Sequence, residues 1–287
     1  MKTLVLGASG QLGREWIQFL SDRGTPHSGY SSAEGDLTQP ELIAGLLDRE
    51  RPDVVVNCAA YTKVDKAETE PERAFLVNGW AVGKLAEACA ERKIKLVHYS
   101  TDYVFAGNRD DAAFFPKGYP ETHAQAPINT YGASKADGER RLLASGCEFL
   151  LIRVAWLCGA HGPNFVKTML RLGAERPEVR VVADQRGAPS FADNVVHNTQ
   201  VLLDGGYSGT WHIASLDATS WFALAAEAIE QAGLNAKVIP ILTEEYPTPA
   251  LRPAYSRLDV TKLSGVEGAR IEAWQDNLHR LIPYLRS

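Results

Sequence analysis

Thr3-Leu4-Val5-Leu6-Gly7-Ala8-Ser9-Gly10-Gln11-Leu12-Gly13 is the stretch whose reading decides the fold. Thr3–Leu6 is a short apolar run of buried-strand type, and Arg14–Arg23 reads as a helix closed by Gly24. Between them Gly7, Gly10 and Gly13 fall at every third position. Such a loop needs glycine for a tight turn, for close approach of a pyrophosphate, and for close packing of helix on strand. The helix that follows offers free N–H groups to an anion. A glycine turn that merely connects two elements is the alternative; the strand–turn–helix setting at the N-terminus argues for dinucleotide binding.

Working outward, Pro40–Glu50 reads as a helix and Asp53–Ala60 (DVVVNCAA) as a second apolar run. Glu72–Arg92 has helical periodicity and leads to the strand Lys95–Ser100; Tyr131–Ala144 is helical and Phe149–Val154 a strand. Strands alternating with helices predict βαβ units, and hence an α/β fold with a Rossmann-type, doubly wound parallel sheet. Past Trp156 the rhythm loosens. Asn164–Arg176 and Trp221–Ala232 read as helices, Arg180–Ala183 and Thr210–Ile213 as short strands, and Pro240–Pro253 is proline-rich. The expected division is a nucleotide-binding domain over 1–155, with returning segments over roughly 180–215, and a smaller α/β substrate-binding lobe over 156–179 and 216–287.

With 287 residues, 45% hydrophobic and 23% charged, the chain has ordinary globular composition. A net charge of −5 gives no footprint for nucleic acid or an anionic membrane. Cys58, Cys89, Cys147 and Cys158 form no Cys-x-x-Cys pair, and Cys58, Cys89 and Cys158 read as core thiols. The run Met1–Leu6 is too short for a signal peptide or a spanning helix, so the expected location is the cytoplasm.

The end of the second strand, Ser28–Ser32, carries no carboxylate to bind a ribose 2′-hydroxyl; Glu34 and Asp36 fall beyond it. That favours NADPH over NADH, with dual use left open. Arg14 either pairs with a 2′-phosphate or is a solvated helix residue. Tyr131 and Lys135 stand four residues apart on one helix face. A cation beside a phenol favours the phenolate, and such a phenol can protonate an alkoxide as a carbonyl is reduced. Ser100 and Thr101, at the end of the preceding strand, supply hydroxyls; Thr101 is read as the group that orients the carbonyl, and Ser100 as held by the backbone or the ribose.

These segments resemble the dTDP-4-dehydrorhamnose reductases, within the extended short-chain dehydrogenases. The resemblance runs through Gly10–Gly13, Pro52–Ala60, Val64–Glu68, Val97–Phe105, Tyr131-Gly132 with Lys135, Arg153–Trp156, Asn164–Leu170, Asp184–Pro189 and Tyr246–Leu258. It implies reduction of the C4 ketone of dTDP-4-dehydro-β-L-rhamnose, with Tyr131 as proton donor, Lys135 as its partner, and Thr101, Asp102 and Trp156 at the sugar. It also implies that Gly7, Gly10, Gln11, Leu12, Gly13, Asp36, Leu37, Ala60, Tyr61, Thr62, Tyr99, Tyr131 and Lys135 line the cofactor.

Tyr61 stands where the family often has histidine. Some members join two subunits through a carboxylate-bound metal. Glu15 and Asp193 match that pattern, but the Tyr-Leu-Arg-Ser ending lacks the remaining acid, so no metal is expected, and Mg2+ and a homodimer stay open. A nucleotide-sugar pyrophosphate calls for cations, with Lys167, Arg171, Arg186 and above all Arg252 as candidates. Trp211, Trp221 and Trp274 read as core. The other functions compatible with the pattern are a sugar-nucleotide epimerase and a non-catalytic NADP-binding subunit like the methionine adenosyltransferase beta subunit.

Overall fold

The computed structural model describes residues 1–286; Ser287, the last residue of the ending noted above, lies outside them. The strands are β1 (Thr3–Leu6), β2 (His27–Tyr30), β3 (Val54–Asn57), β4 (Lys95–Thr101), β5 (Phe149–Val154), β6 (Glu178–Val182), β7 (Arg186–Gly187), β8 (Gly209–His212), β9 (Thr219–Ser220) and β10 (Lys237–Ile241). The longer helices are α1 (Gln11–Asp22), α2 (Pro40–Glu50), α3 (Ala81–Glu91), α4 (Thr130–Ala144), α5 (Phe165–Glu175), α6 (Ala192–Asp204), α7 (Trp221–Gln231) and α8 (Trp274–Arg286). Six strands form one parallel sheet in the order β2-β1-β3-β4-β5-β8.

The central strands β1 and β3 are mostly apolar and fully buried because both of their faces are covered. Val5, Val54 and Val56 point to a core shared with Leu12, Trp16 and Leu20 of α1 and with Val195, Val196 and Leu202 of α6. Leu4, Leu6 and Val55 point the other way, against Ile43 and Leu47 of α2 and Val82 and Leu85 of α3. The strand order reverses between β1 and β3, so a crevice opens at the carboxyl ends of those two strands, where ligands of open α/β sheets bind.

From Ala192 the chain returns to this layer, with α6 on one face and β8 on the sheet edge. The strand expected near Arg180–Ala183 belongs elsewhere: β6 runs parallel to β10 in a separate two-stranded sheet. Its burial alternates along Glu178–Val182, the pattern of a strand covered on one face only, unlike the fully buried strands of the large sheet. Among the described residues no helix is long and apolar enough to cross a membrane.

Helix α4 carries Tyr131 and Lys135, and its seat is close. A Cβ on Gly138 would come within 2.0 Å of the Asn78 carbonyl oxygen, in a π-helical turn over Leu76–Trp80 that runs into α3. One turn beyond Lys135, Glu139 is fully buried and holds Arg153 of β5, with Nη2 to Oε2 at 2.7 Å and Nε to Oε1 at 3.0 Å. Removing one partner of such a pair strands a charge in the interior. We expect Glu139→Ala to cost about 3–5 kcal/mol, read as a lowered denaturant midpoint, and the double replacement Glu139→Leu/Arg153→Met to recover most of that loss.

Candidate active site

The glycine turn closes against the end of β3. Gly7 has φ +72°, and a Cβ there would lie 2.6 Å from the Ala59 nitrogen. A Cβ on Gly13 would lie 2.1 Å from the Gly7 carbonyl oxygen. Gly10 caps α1 with no side-chain acceptor, so the first N–H groups of that helix face the crevice without an internal partner. This backbone cradle, which any side chain would fill, fits a dinucleotide pyrophosphate.

Other residues expected at the cofactor contribute in different ways. Gln11 ties the turn to the second lobe, donating to the Leu157 carbonyl at 3.2 Å and accepting from Asn164 Nδ2 at 3.1 Å. Leu12, Leu37 and Tyr99 are buried core side chains, so only their backbone can face a ligand. The Tyr99 phenol accepts from Trp16 Nε1 at 2.8 Å and donates to Thr199 at 3.1 Å, well inside the α1–α6 face. Asp36 accepts from the Thr38 N–H and hydroxyl; the backbone donor above all holds its carboxyl below the usual range. Ala60 and Thr62 flank Tyr61, whose backbone is clamped by Asn78 through bonds of 2.8 and 2.9 Å and whose phenol donates to Glu70. Arg14 is exposed and donates to the Ser9 carbonyl at 3.0 Å.

At the end of β4 three groups meet. Thr101 Oγ1 donates to Asp102 Oδ1 at 2.9 Å and accepts the Tyr103 N–H. Tyr131 stands edge-to-face on Tyr103, ring centroids 5.6 Å apart, with Thr101 beside its phenol. Asp102 is 2% exposed with Oδ2 lacking a hydrogen-bond partner, and burial pushes its carboxyl up to about 7. Ser100 Oγ is likewise buried without a partner, so the expected backbone anchor is not made. Asn129 orients α4, accepting from the Gly132 N–H and donating to the Leu251 carbonyl, both at 2.8 Å.

The Lys135 amine, expected beside the phenol, is engaged by strand β4. Lys135 Nζ donates to the Tyr99 carbonyl at 2.6 Å and lies 3.4 Å from His98 Nε2. The phenol of Tyr131 is raised above its ordinary value, first by burial and then by the Asp102 carboxylate. Four-residue spacing put both side chains on one helix face; it did not say that a strand carbonyl would capture the amine. Burial lowers the Lys135 amine to about 8.

On the second-lobe side, Arg252 Nη2 donates to Asp65 Oδ2 at 2.9 Å, while its Nη1 is buried without a partner. Lys167 is tied to the Ala160 carbonyl at 2.6 Å and Arg171 to Glu175 at 2.8 Å; the Arg186 side chain is exposed. Trp156, at φ +48°, stacks on Trp221 with centroids 3.7 Å apart. Trp221 is half-buried and packs against two apolar clusters, and Trp211 and Trp274 are buried, as read. Sequence reading also missed His98, Asn57 and Asn78, polar residues inside or beside apolar runs; burial of a polar group in a central strand was the available signal. Of the two acids matched to the family's metal position, Glu15 rises to about 7, chiefly by burial and then by Asp193, whose carboxylate lies 3.7 Å from Arg280. No group of three or more His, Cys, Asp or Glu that could hold a metal occurs among the described residues, and all four cysteines are free thiols.

Asp102 yields a test. A carboxyl whose folded value exceeds its unfolded one stabilises fully while both states are protonated, and that contribution is lost as pH rises toward 7. We expect Asp102→Asn to match the parent near pH 4 and to exceed it at pH 8 by on the order of 2–4 kcal/mol, as urea midpoints across that range would report.

The chain matches over residues 1–287 the family model described as "RmlD substrate binding domain". The dTDP-4-dehydrorhamnose reductase of Burkholderia thailandensis is 41% identical, covering 96% of each chain, and that of Escherichia coli 38% identical, covering 98% of this chain and 97% of its own. A crystal structure of dTDP-4-dehydrorhamnose reductase from Bacillus anthracis, in complex with NADP, superposes with a TM-score of 0.93 at 35% identity, covering 98% of each chain. With its glycine turn and its β4–α4 cluster framed by matches of that length, the chain belongs to the dTDP-4-dehydrorhamnose reductase family.

Proposed function

We propose that this protein reduces the C4 ketone of dTDP-4-dehydro-β-L-rhamnose with NADPH, NADH being the weaker alternative. The carrying observation is the convergence of Thr101, Asp102 and Tyr131 at the carboxyl end of β4, with the Lys135 amine bonded to the same strand. When bound, the reduced nicotinamide supplies hydride to the carbonyl carbon.

The Gly7–Gly13 turn and the start of α1 hold the pyrophosphate, with backbone from Ala60 to Thr62 along the crevice wall. Thr101 orients the ketone oxygen. The Tyr131 phenol, kept protonated at neutral pH by burial and by Asp102, donates its proton to that oxygen as negative charge develops there. Asp102, with an oxygen free of protein partners, accepts a sugar hydroxyl. The stacked Trp156 offers an apolar face to the deoxysugar. Arg252, oriented by Asp65, directs its second nitrogen to the pyrophosphate of the substrate. The family resemblance and the NADP complex of the Bacillus anthracis relative support the choice of substrate and cofactor.

The test is loss of NADPH absorbance with dTDP-, UDP- and GDP-linked 4-ketosugars. Oxidation dependent on the dTDP sugar is expected; its absence with every sugar, together with a stable complex with a partner enzyme, would sink the reading in favour of a regulatory subunit. Tyr131→Phe should lower kcat by about 10²–10⁴-fold with cofactor titration unchanged. Arg252→Ala should raise KM for the sugar nucleotide about tenfold or more, as expected for a loss of roughly 1.5–3 kcal/mol of charge-assisted bonding, with kcat moved far less.

A further inference from the structure

Beneath the proposed site lies a buried chain of polar groups. Asn57, at the end of β3, is 1% exposed; His98, in the middle of β4, is fully buried; Lys135, on α4, is 2% exposed. The Ala59 N–H donates to Asn57 Oδ1 at 3.1 Å, Asn57 Nδ2 lies 3.1 Å from His98 Nδ1, and His98 Nε2 lies 3.4 Å from Lys135 Nζ.

Donor and acceptor counting fixes the direction of this chain. The backbone N–H of Ala59 can only donate, so it takes the amide oxygen of Asn57 and leaves the amide NH2 facing His98. An NH2 can only donate, so His98 Nδ1 must accept. Burial, and then Lys135, hold the ring well below its ordinary value, and a neutral imidazole accepting at Nδ1 carries its proton on Nε2. That N–H points at Nζ. A neutral amine can donate to the Tyr99 carbonyl and accept from Nε2, using both contacts. An ammonium would donate to Tyr99 and turn a second N–H against the imidazole N–H.

We propose that His98 is a positioning residue for Lys135: oriented by Asn57, it presents an N–H to Nζ and thereby sets how readily that amine holds its third proton. The inference rests on the reading of Tyr131 and Lys135 as the proton-transfer pair.

Few other charges reach the amine. On its own helix stand Tyr131, one turn before, and Glu139, one turn after, with the Glu139 carboxylate held by Arg153 and favouring the ammonium. From β4 come His98 and, past its end, Asp102. From β3 come the neutral Asn57 and the Cys58 thiol, which burial keeps protonated. The Asn78 amide, bonded to Ser134, is neutral. His98 is thus the contact that works against the proton, and Glu139 the one that works for it. If the phenolate left on Tyr131 after proton transfer needs a cation beside it, turnover falls as pH rises through the Lys135 value, and removing the opposing N–H moves that limb upward.

His98→Gln is the informative variant, because its amide oxygen can face Nζ while its NH2 is directed elsewhere. The alkaline limb of kcat is expected to rise by about one pH unit, with KM for the sugar nucleotide and cofactor affinity within about twofold of the parent. An alkaline limb that stays in place overturns the inference. Independently of activity, and decisive should that variant fail to fold, nitrogen-15 NMR of the histidine-labelled parent protein should show the ring of His98 neutral between pH 6 and 9, protonated at Nε2 and bare at Nδ1. A proton on Nδ1 also overturns it. Turnover surviving in Tyr131→Phe would instead overturn the reading of the proton-transfer pair, and leaves the NMR result to be judged by itself.

Discussion

Polar side chains buried at the carboxyl ends of β3 and β4 are the constraint on which the rest of the site depends. Thr101, Asp102, Asn57, His98 and Lys135 are each no more than 6% exposed, in or against strands whose neighbours are largely Val, Leu and Ile. An unpaired polar group in that setting costs roughly 1–3 kcal/mol, so partners must be found, and they reach across elements: Asn57 to His98, His98 to Lys135, Lys135 to the Tyr99 carbonyl. The result registers α4 against the sheet more finely than apolar contact could. Ser100 Oγ and Asp102 Oδ2, at the end of β4, stand outside this satisfaction, and both belong to the segment that the proposed substrate would meet.

The same economy ties the second lobe to the first. Asp65 accepts from the Ala250 N–H and from Arg252, and Glu68, one turn along, accepts from the N–H and hydroxyl of Thr130 at the start of α4. Asn129 completes the ring, capping α4 while holding the Leu251 carbonyl. The segments Val64–Glu68 and Tyr246–Arg252 are thus halves of one clamp around the helix that carries Tyr131. A carboxylate that orients a guanidinium leaves its remaining nitrogen directed rather than mobile, which reduces the entropy lost when an anion is bound.

Much of this was legible in the sequence, and the reasons for the rest are physical. Apolar runs such as Val54–Asn57 can only be strands covered on both faces, and the glycine spacing 7, 10, 13 can only serve a turn where backbone meets backbone, so the parallel sheet and its crevice followed. Tyr131 and Lys135 followed from helical spacing. The destination of the Lys135 amine did not, because a shared helix face says nothing about which acceptor on a neighbouring strand is nearer. His98 looked like one residue of a β run, and its role exists only once β3 lies beside β4. Strand β6, grouped by sequence with the segments returning over roughly 180–215, pairs with β10 instead, because five residues of mixed pattern do not reveal their pairing partner.

Trp156 shows how the two lobes share the cost of a shaped wall. A bulky residue at φ +48° is strained by about 1–3 kcal/mol, and nothing in the β5 segment itself repays that. The stack on Trp221, at 3.7 Å and nearly parallel, comes from the first turn of α7 in the second lobe, and Phe165 of α5 leans on the same indole from the side. Such aromatic pairs add roughly 0.5–1.5 kcal/mol beyond area burial, a sum comparable with the strain. The left-handed turn after β5 is therefore held by the second lobe, not by the strand that it ends, and the indole keeps its place only while α5 and α7 are packed. The position of the Trp156 indole is thus set by α5 and α7 together with β5, so its surroundings could not be read from the β5 segment by itself.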